Sequence, residues 1–260
     1  MNIVVCIKQV PDVDDIKWTK ENNLDRSQML SCINPHDEYA LNWAAKIKAE
    51  LKDVKIIALS MGPKQAGDVL NYALAKCADS AILLCDKMFA ASDTLATSKV
   101  IARSIKKYIP DFDLIITGQM ASDGDTAQVP VSLSELLNID DVTNCVYIKK
   151  AEENNFSVIQ RLENEIIELN IKTPCLIAIK QECDIVKKIK IDDYKRAQQS
   201  DIKEVCFNDL ELSKDEVGIM GSPTTVYRAF RPEIAKNALE IKQDYKKAIF
   251  DIIGEKLNAK

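Results

Sequence analysis

Apolar residues in the first half of the chain fall into short unbroken runs, separated by stretches in which they recur every three or four positions. The runs predict strands at Ile3 to Lys8, Lys55 to Met61, Ala81 to Cys85 and Asp113 to Gly118. Each is nearly continuous in apolar residues, the pattern of a strand covered on both faces. The stretches between them predict helices. The first opens at Asn34-Pro35, an asparagine able to cap free N–H groups and a proline with φ preset for a first helical position, and its apolar face holds Leu41, Trp43, Ala44 and Ile47. The second follows Gly62-Pro63 and carries Ala66, Val69, Leu70, Ala73 and Leu74. The third begins at the capping pair Ser92-Asp93 and carries Leu95, Val100, Ile101 and Ile105. This alternation predicts βαβ units, a parallel sheet and helix starts aimed at strand ends.

After Ile139 the period changes. Val142 to Lys149, Phe156 to Leu162, Glu165 to Ile171 and Leu176 to Lys180 read as short strands, with a charged turn at Ala151 to Asn155, and predict antiparallel hairpins that extend the sheet. Glu182 to Asp201 is polar and lysine-rich and reads as a loop with a short helix. Gly218 to Pro223 is a turn cluster. From Pro232 a helical stripe carries Ile234, Ala238, Leu239, Ile241, Tyr245, Ile249 and Ile252, which either folds back on the domain or clasps a partner.

With 260 residues and 47% apolar composition the chain can bury a substantial core. Its 35 basic and 40 acidic residues give a net charge of −5, with no sustained positive field for nucleic acid. MNIVVCIKQV reads as a buried first strand, not a signal peptide, and no apolar run approaches the roughly 20 residues of a membrane span, so a cytoplasmic protein without membrane insertion is expected. None of the eight cysteines forms a CxxC pair, and Cys6, Cys85, Cys145 and Cys175 sit in apolar runs where thiols pack as small hydrophobes. A single histidine, His36, leaves no imidazole cluster for a metal, and any His-based catalysis would rest on it alone.

Chemistry concentrates in LIITGQMASDGDTAQVPVSLSELL, Leu114 to Leu137: an apolar strand, a glycine at its end, a small polar loop, then a helix. Such a junction aims unpaired N–H groups and the positive end of a helix dipole at one point, a seat for phosphate. Gly118 and Gly124 can adopt angles closed to other residues, and Ser122 and Thr126 add hydroxyl donors. Asp123 and Asp125 repel a diphosphate and suit capping or ribose contacts instead. An ordinary βα turn would use the same residue types. The segment matches neither GxGxxG nor GxxxxGK[ST].

GQMASDGDTAQ, Gly118 to Gln128, resembles the nucleotide-binding signature of electron-transfer flavoprotein β subunits. Further matches follow in order: CIKQVPD at Cys6 to Asp12, INPHDEYALNWA at Ile33 to Ala44, LSMGPKQA at Leu59 to Ala66, SDTLATS at Ser92 to Ser98, RLENE at Arg161 to Glu165 and GSPTTV at Gly221 to Val226. The resemblance implies an adenine nucleotide α-hydrolase-like three-layer core at 1–203 and an arm at 204–260 that clasps the α subunit. It implies adenosine contacts at Cys6, Ile7, Asn34, Pro35, His36, Asp37 and Met61, and diphosphate contacts at Gly118, Gln119, Ser122 and the Asp123, Gly124, Asp125, Thr126, Ala127, Gln128, Val129 loop. Flavin-side contacts fall on Asp93, Thr94, Thr97, Ser222 and Thr224. No catalytic acid or base is required, because a bound flavin performs the chemistry.

The family divides into β subunits that keep AMP as structural filler and β subunits that bind FAD, accept hydride from NADH and split the electron pair. DGDTAQ with an intact SDTLATS resembles the second kind. That implies delivery to the α-subunit FAD, a flavin-dependent dehydrogenase, and ferredoxin or flavodoxin. A stand-alone adenine-nucleotide sensor is the alternative from another class. Two departures stand out: Pro130 replaces a glycine and donates no N–H, and ECDIVKKIKIDDYKRAQQ replaces the Pro-Arg stretch that leads into the dehydrogenase-docking loop.

Overall fold

Residues 1–12, 31–152, 154–181, 188–226 and 244–258 are described by the computed structural model of the protein. In chain order, β1 (Asn2–Cys6) is followed by the short strands β2 (Gln9–Pro11) and β3 (Ser31–Ile33), then α1 (Pro35–Glu50) and β4 (Lys55–Met61). Next come α2 (Gly67–Lys76), β5 (Ser80–Leu84), α3 (Thr94–Tyr108), β6 (Leu114–Gly118) and α4 (Val129–Leu137). The remainder comprises β7 (Asp140–Glu152), β8 (Asn155–Arg161), β9 (Ile166–Lys172), β10 (Cys175–Ile179), α5 (Ile191–Gln198), β11 (Ile202–Val205) and α6 (Tyr245–Asn258). The four leading strands lie where the apolar runs predict them, with ends shifted by at most two residues.

A nine-stranded sheet in the order β11-β5-β4-β1-β6-β10-β7-β8-β9 organises these elements. It is parallel from β11 to β7 and antiparallel across β7, β8 and β9. Side-chain parity sorts the core into two layers. Ile3 and Val5 of β1 with Leu114 and Ile116 of β6 face α1 and α2, where Leu41, Trp43, Ala44 and Leu70 meet them. Val4 and Ile115 point the other way, onto Val100 and Ile105 of α3 and Leu133 and Leu137 of α4. Successive strand residues alternate between faces, so both sets of central positions are apolar apart from Ser60 and Thr117 near the carboxyl ends of β4 and β6.

One prediction from the pattern needs correction. Leu176 to Lys180 is not part of an antiparallel hairpin: β10 lies inside the sheet, parallel to both β6 and β7. All five of its residues are buried, which an unbroken apolar run requires, whereas β8 shows the alternation of a strand with one open face. Within Glu182 to Asp201 the expected short helix is α5, and β11, which no apolar run predicts, follows at Ile202 and pairs with β5. β11 spans positions 203 and 204, and Val205, Leu210 and Val217 are buried in the α3-side layer. Of the C-terminal stripe, Pro232, Ile234, Ala238, Leu239 and Ile241 lie outside the described residues; in α6, Tyr245, Ile249, Phe250 and Ile253 are exposed. Among the described residues no helix is long and apolar enough to cross a membrane.

The two strand environments make a contrast that unfolding can measure. Leu176→Ala, in a strand covered on both faces, should cost about 2–5 kcal/mol, while Ile166→Ala at the 69% exposed position on β9 should stay within about 0.5 kcal/mol in the same urea titration.

Candidate functional site at the carboxyl ends of the central strands

The chain leaves β1 through α1 to reach β4 on one side, but β6, the other neighbour of β1, is reached from β5 through α3. The direction of winding therefore reverses between β1 and β6, and a crevice opens outside the carboxyl ends of strands at such a point. Cys6 and Ile7, the start of α1, and Gly118 with the loop after it all meet here.

The start of α1 is wired to both strand ends. Asp37 is buried, and its carboxylate accepts the Lys8 N–H at 2.7 Å and the Gly118 N–H at 3.1 Å. Burial pushes its pKa up from 3.8 to about 7, against the opposing pull of the Asn34 side chain, these two N–H groups and the Lys8 charge. Asn34 makes no side-chain cap on its own helix, contrary to expectation. Its Nδ2 donates to the Met120 carbonyl at 2.9 Å and its Oδ1 accepts the Ser122 N–H at 3.1 Å, pinning the loop instead. His36 lies between; burial, the main influence, lowers its pKa while the Asp125 carboxylate opposes this, so the ring is neutral at neutral pH.

The glycines act differently from the expectation that they supply unusual backbone angles. A Cβ on Gly118 would stand 2.3 Å from Asp37 Oδ1 and 2.7 Å from the His36 backbone, so this glycine lets α1 approach β6. At Gly124 a Cβ would meet nothing within 4 Å. Left-handed backbone falls on Asp125 and Ala127, both at φ 52°. For alanine this is a strained conformation, of the kind concentrated in ligand-binding loops.

Between these residues and α4 the backbone is open. Gly124 and Asp125 donate their N–H groups to the Ala121 carbonyl. The N–H groups of Thr126, Ala127, Gln128 and Val129 have no protein acceptor among the described residues. They lead into the first turn of α4, where the helix dipole adds positive charge. Pro130 is buried in that turn and contributes no donor. Two further contacts hold the loop: Lys8 Nζ lies 2.6 and 2.8 Å from the two oxygens of Asp123, and Thr94 Oγ1 donates to Gln128 Oε1 at 2.8 Å.

A second cluster sits at the start of α3. Asp93 accepts the Leu95 and Ala96 N–H groups, each at 3.0 Å, and the Thr224 N–H and hydroxyl at 3.0 and 2.9 Å. Burial alone would raise its pKa, but these donors, led by Ala96 and Thr224, outweigh it and hold the carboxyl below its usual value. Ser222 Oγ accepts the Asp93 N–H and donates to the carbonyl of Gly218, whose φ of +58° suits glycine. The Ser222 and Thr224 hydroxyls thus staple their loop to α3. Thr97 lies one turn beyond Thr94 on the same helix face.

Other predicted residues are occupied by the protein. Gln119 is buried, its Oε1 accepting the Asn144 N–H at 2.6 Å. Ile7 packs in the α1-side layer and Met61 against the α3-side layer. Burial pushes the Cys6 thiol up to about 12, aided by Asp37, which leaves it unreactive. Cys145 and Cys175 are pushed equally far by burial. Two residues went unrecognised in the sequence: Lys8, and Thr117, whose buried hydroxyl has no partner among the described residues and stands in register with Cys6. A separate cleft of about 670 Å³ lies at the far end of α1, and its cations Lys48, Lys76 and Arg196 are already held by Asp79, Glu38 and Asp193.

Comparison with known proteins shows the family of the chain. Residues 23–209 match the family model of the electron transfer flavoprotein domain. The electron transfer flavoprotein subunit beta of Thermoanaerobacterium thermosaccharolyticum is 36% identical over 264 residues, covering 100% of this chain and 99% of that protein. Its counterpart from Megasphaera elsdenii is 37% identical, covering 100% and 98%. The caffeyl-CoA reductase-Etf complex subunit CarD of Acetobacterium woodii is 36% identical, covering 89% and 88%.

Because Asp37 binds its proton more tightly folded than unfolded, its contribution is complete below pH 4 and is lost as pH rises through about 7. Stability should decline over that window in urea titrations at several pH values. Asp37→Asn should remove this component and cost about 1–3 kcal/mol, since its amide cannot accept both N–H groups.

Proposed function

The chain belongs to the electron-transfer flavoprotein β-subunit family, and from that premise we propose that it holds an FAD in the crevice between β1 and β6. The observation that carries this reading is the set of four N–H groups at 126–129 with no protein acceptor among the described residues, beside left-handed Asp125 and Ala127 at the sheet's switch point. In this reading Cys6, Ile7, Met61 and the Asn34–Asp37 turn line the adenosine end. Gly118, Ser122 and the 123–129 loop hold the diphosphate. Thr94 and Thr97, with Asp93, Ser222 and Thr224 bracing the wall, orient the flavin end. When bound, FAD supplies acceptance of hydride from NADH and release of electrons one at a time. The side chains bind, orient and exclude water, and none needs to transfer a proton.

With its α subunit the protein would take electrons from NADH and deliver them to the α-subunit FAD, a flavin-dependent acyl-CoA dehydrogenase-type partner, and ferredoxin or flavodoxin. Membership of CarD in a caffeyl-CoA reductase-Etf complex supports the dehydrogenase side of this division. The exposed Tyr245, Ile249, Phe250 and Ile253 on α6 support a C-terminal arm that clasps the α subunit.

Counting cofactors in the purified heterodimer tests the assignment. Two flavins per αβ pair are expected, and one flavin with one AMP would replace it by the simple-carrier reading. Phe250→Asp, or truncation before Pro232, should abolish the heterodimer on size exclusion while leaving the thermal unfolding of the isolated chain within a few degrees. An unchanged complex would refute the clasp.

A further inference from the structure

We propose that Lys8 is the cation that meets the nucleotide diphosphate, and that Asp123 holds it as a stand-in anion beforehand and surrenders it on binding. This rests on the nucleotide reading above and adds a residue and an exchange to it. Lys8 follows β1 at the switch point, with its backbone N–H fixed on buried Asp37, so the stem of its side chain is anchored beside the crevice. Its ammonium reaches across to both oxygens of Asp123, 115 positions away, at 2.6 and 2.8 Å.

The pair is partly open to water, with side-chain exposures of 47% and 23%, and an ion pair of that kind adds little to stability and is readily exchanged. Asp123 precedes by three residues the free N–H groups of 126–129, so the ammonium and those donors belong to one loop-side site. A bare carboxylate here would oppose a diphosphate, and a lysine shared between them removes that opposition. The ammonium also acts as a point charge, which suits phosphate without a fixed angle.

Calorimetry on the αβ heterodimer freed of nucleotide, with ADP and adenosine as probes, separates the possibilities. The wild-type complex should bind ADP more tightly than adenosine. Lys8→Met should weaken ADP by about tenfold to a hundredfold, leave adenosine unchanged and flatten the salt dependence of ADP binding. Lys8→Arg should restore most of the loss. Asp123→Asn should bind ADP at least as tightly as wild type. Equal losses for ADP and adenosine in Lys8→Met, no loss for either, or an ADP loss in Asp123→Asn matching that of Lys8→Met would overturn the exchange while leaving the nucleotide reading intact. If the wild-type complex binds neither probe, the nucleotide reading itself falls and takes this assignment with it.

Discussion

The buried carboxylate of Asp37 is the tie on which the site depends. By accepting one N–H from the end of β1 and one from the end of β6, it fixes the start of α1 against the gap between those strands. Hydrogen bonds to a charged group are worth about 1.5–3 kcal/mol each, and they oppose a desolvation strong enough to bring the group's pKa to about 7. Gly118 is the complementary condition, since any side chain there would enter the space this carboxylate occupies. Helix, two strands and loop are therefore positioned by one group that never faces solvent.

From this tie the loop after β6 inherits its shape. Asn34 holds its first turn, Lys8 its middle and Thr94 its end, so the left-handed residues Asp125 and Ala127 are fixed on both sides. Strain in such a stretch persists only where surrounding contacts over-determine it. The result is a set of backbone donors held ready, so that little ordering is left to occur when an anion arrives. The Asp93 cluster does the same for the opposite wall, joining α3 to a segment some 130 positions later.

Much of this was legible in the sequence because it is local. Unbroken apolar runs identified β1, β4, β5 and β6, and Asn34-Pro35 and Ser92-Asp93 marked helix starts within a residue. β10 was misplaced because it follows two hairpins, although its five consecutive apolar residues already differed from the alternation of β8. β11 was missed because Lys203 and Glu204 interrupt the apolar signal of an edge strand. The loop reads in the sequence as a candidate anion seat or an ordinary βα turn, and the means by which it is held does not show there. The pattern gives no sign that Asn34 ties down Met120, that Lys8 reaches Asp123, or that Ser222 and Thr224 brace the start of α3, because each partner lies between 86 and 131 positions away.

The sheet ends at β9, and a terminal strand offers its outer N–H and C=O groups to any extended chain that approaches. Glu168 and Lys172 on β9, with Glu163 and Glu165 in the turn before it, are all exposed. Pairing with a second strand would strip water from these charged side chains, and that cost discourages edge-to-edge polymerisation.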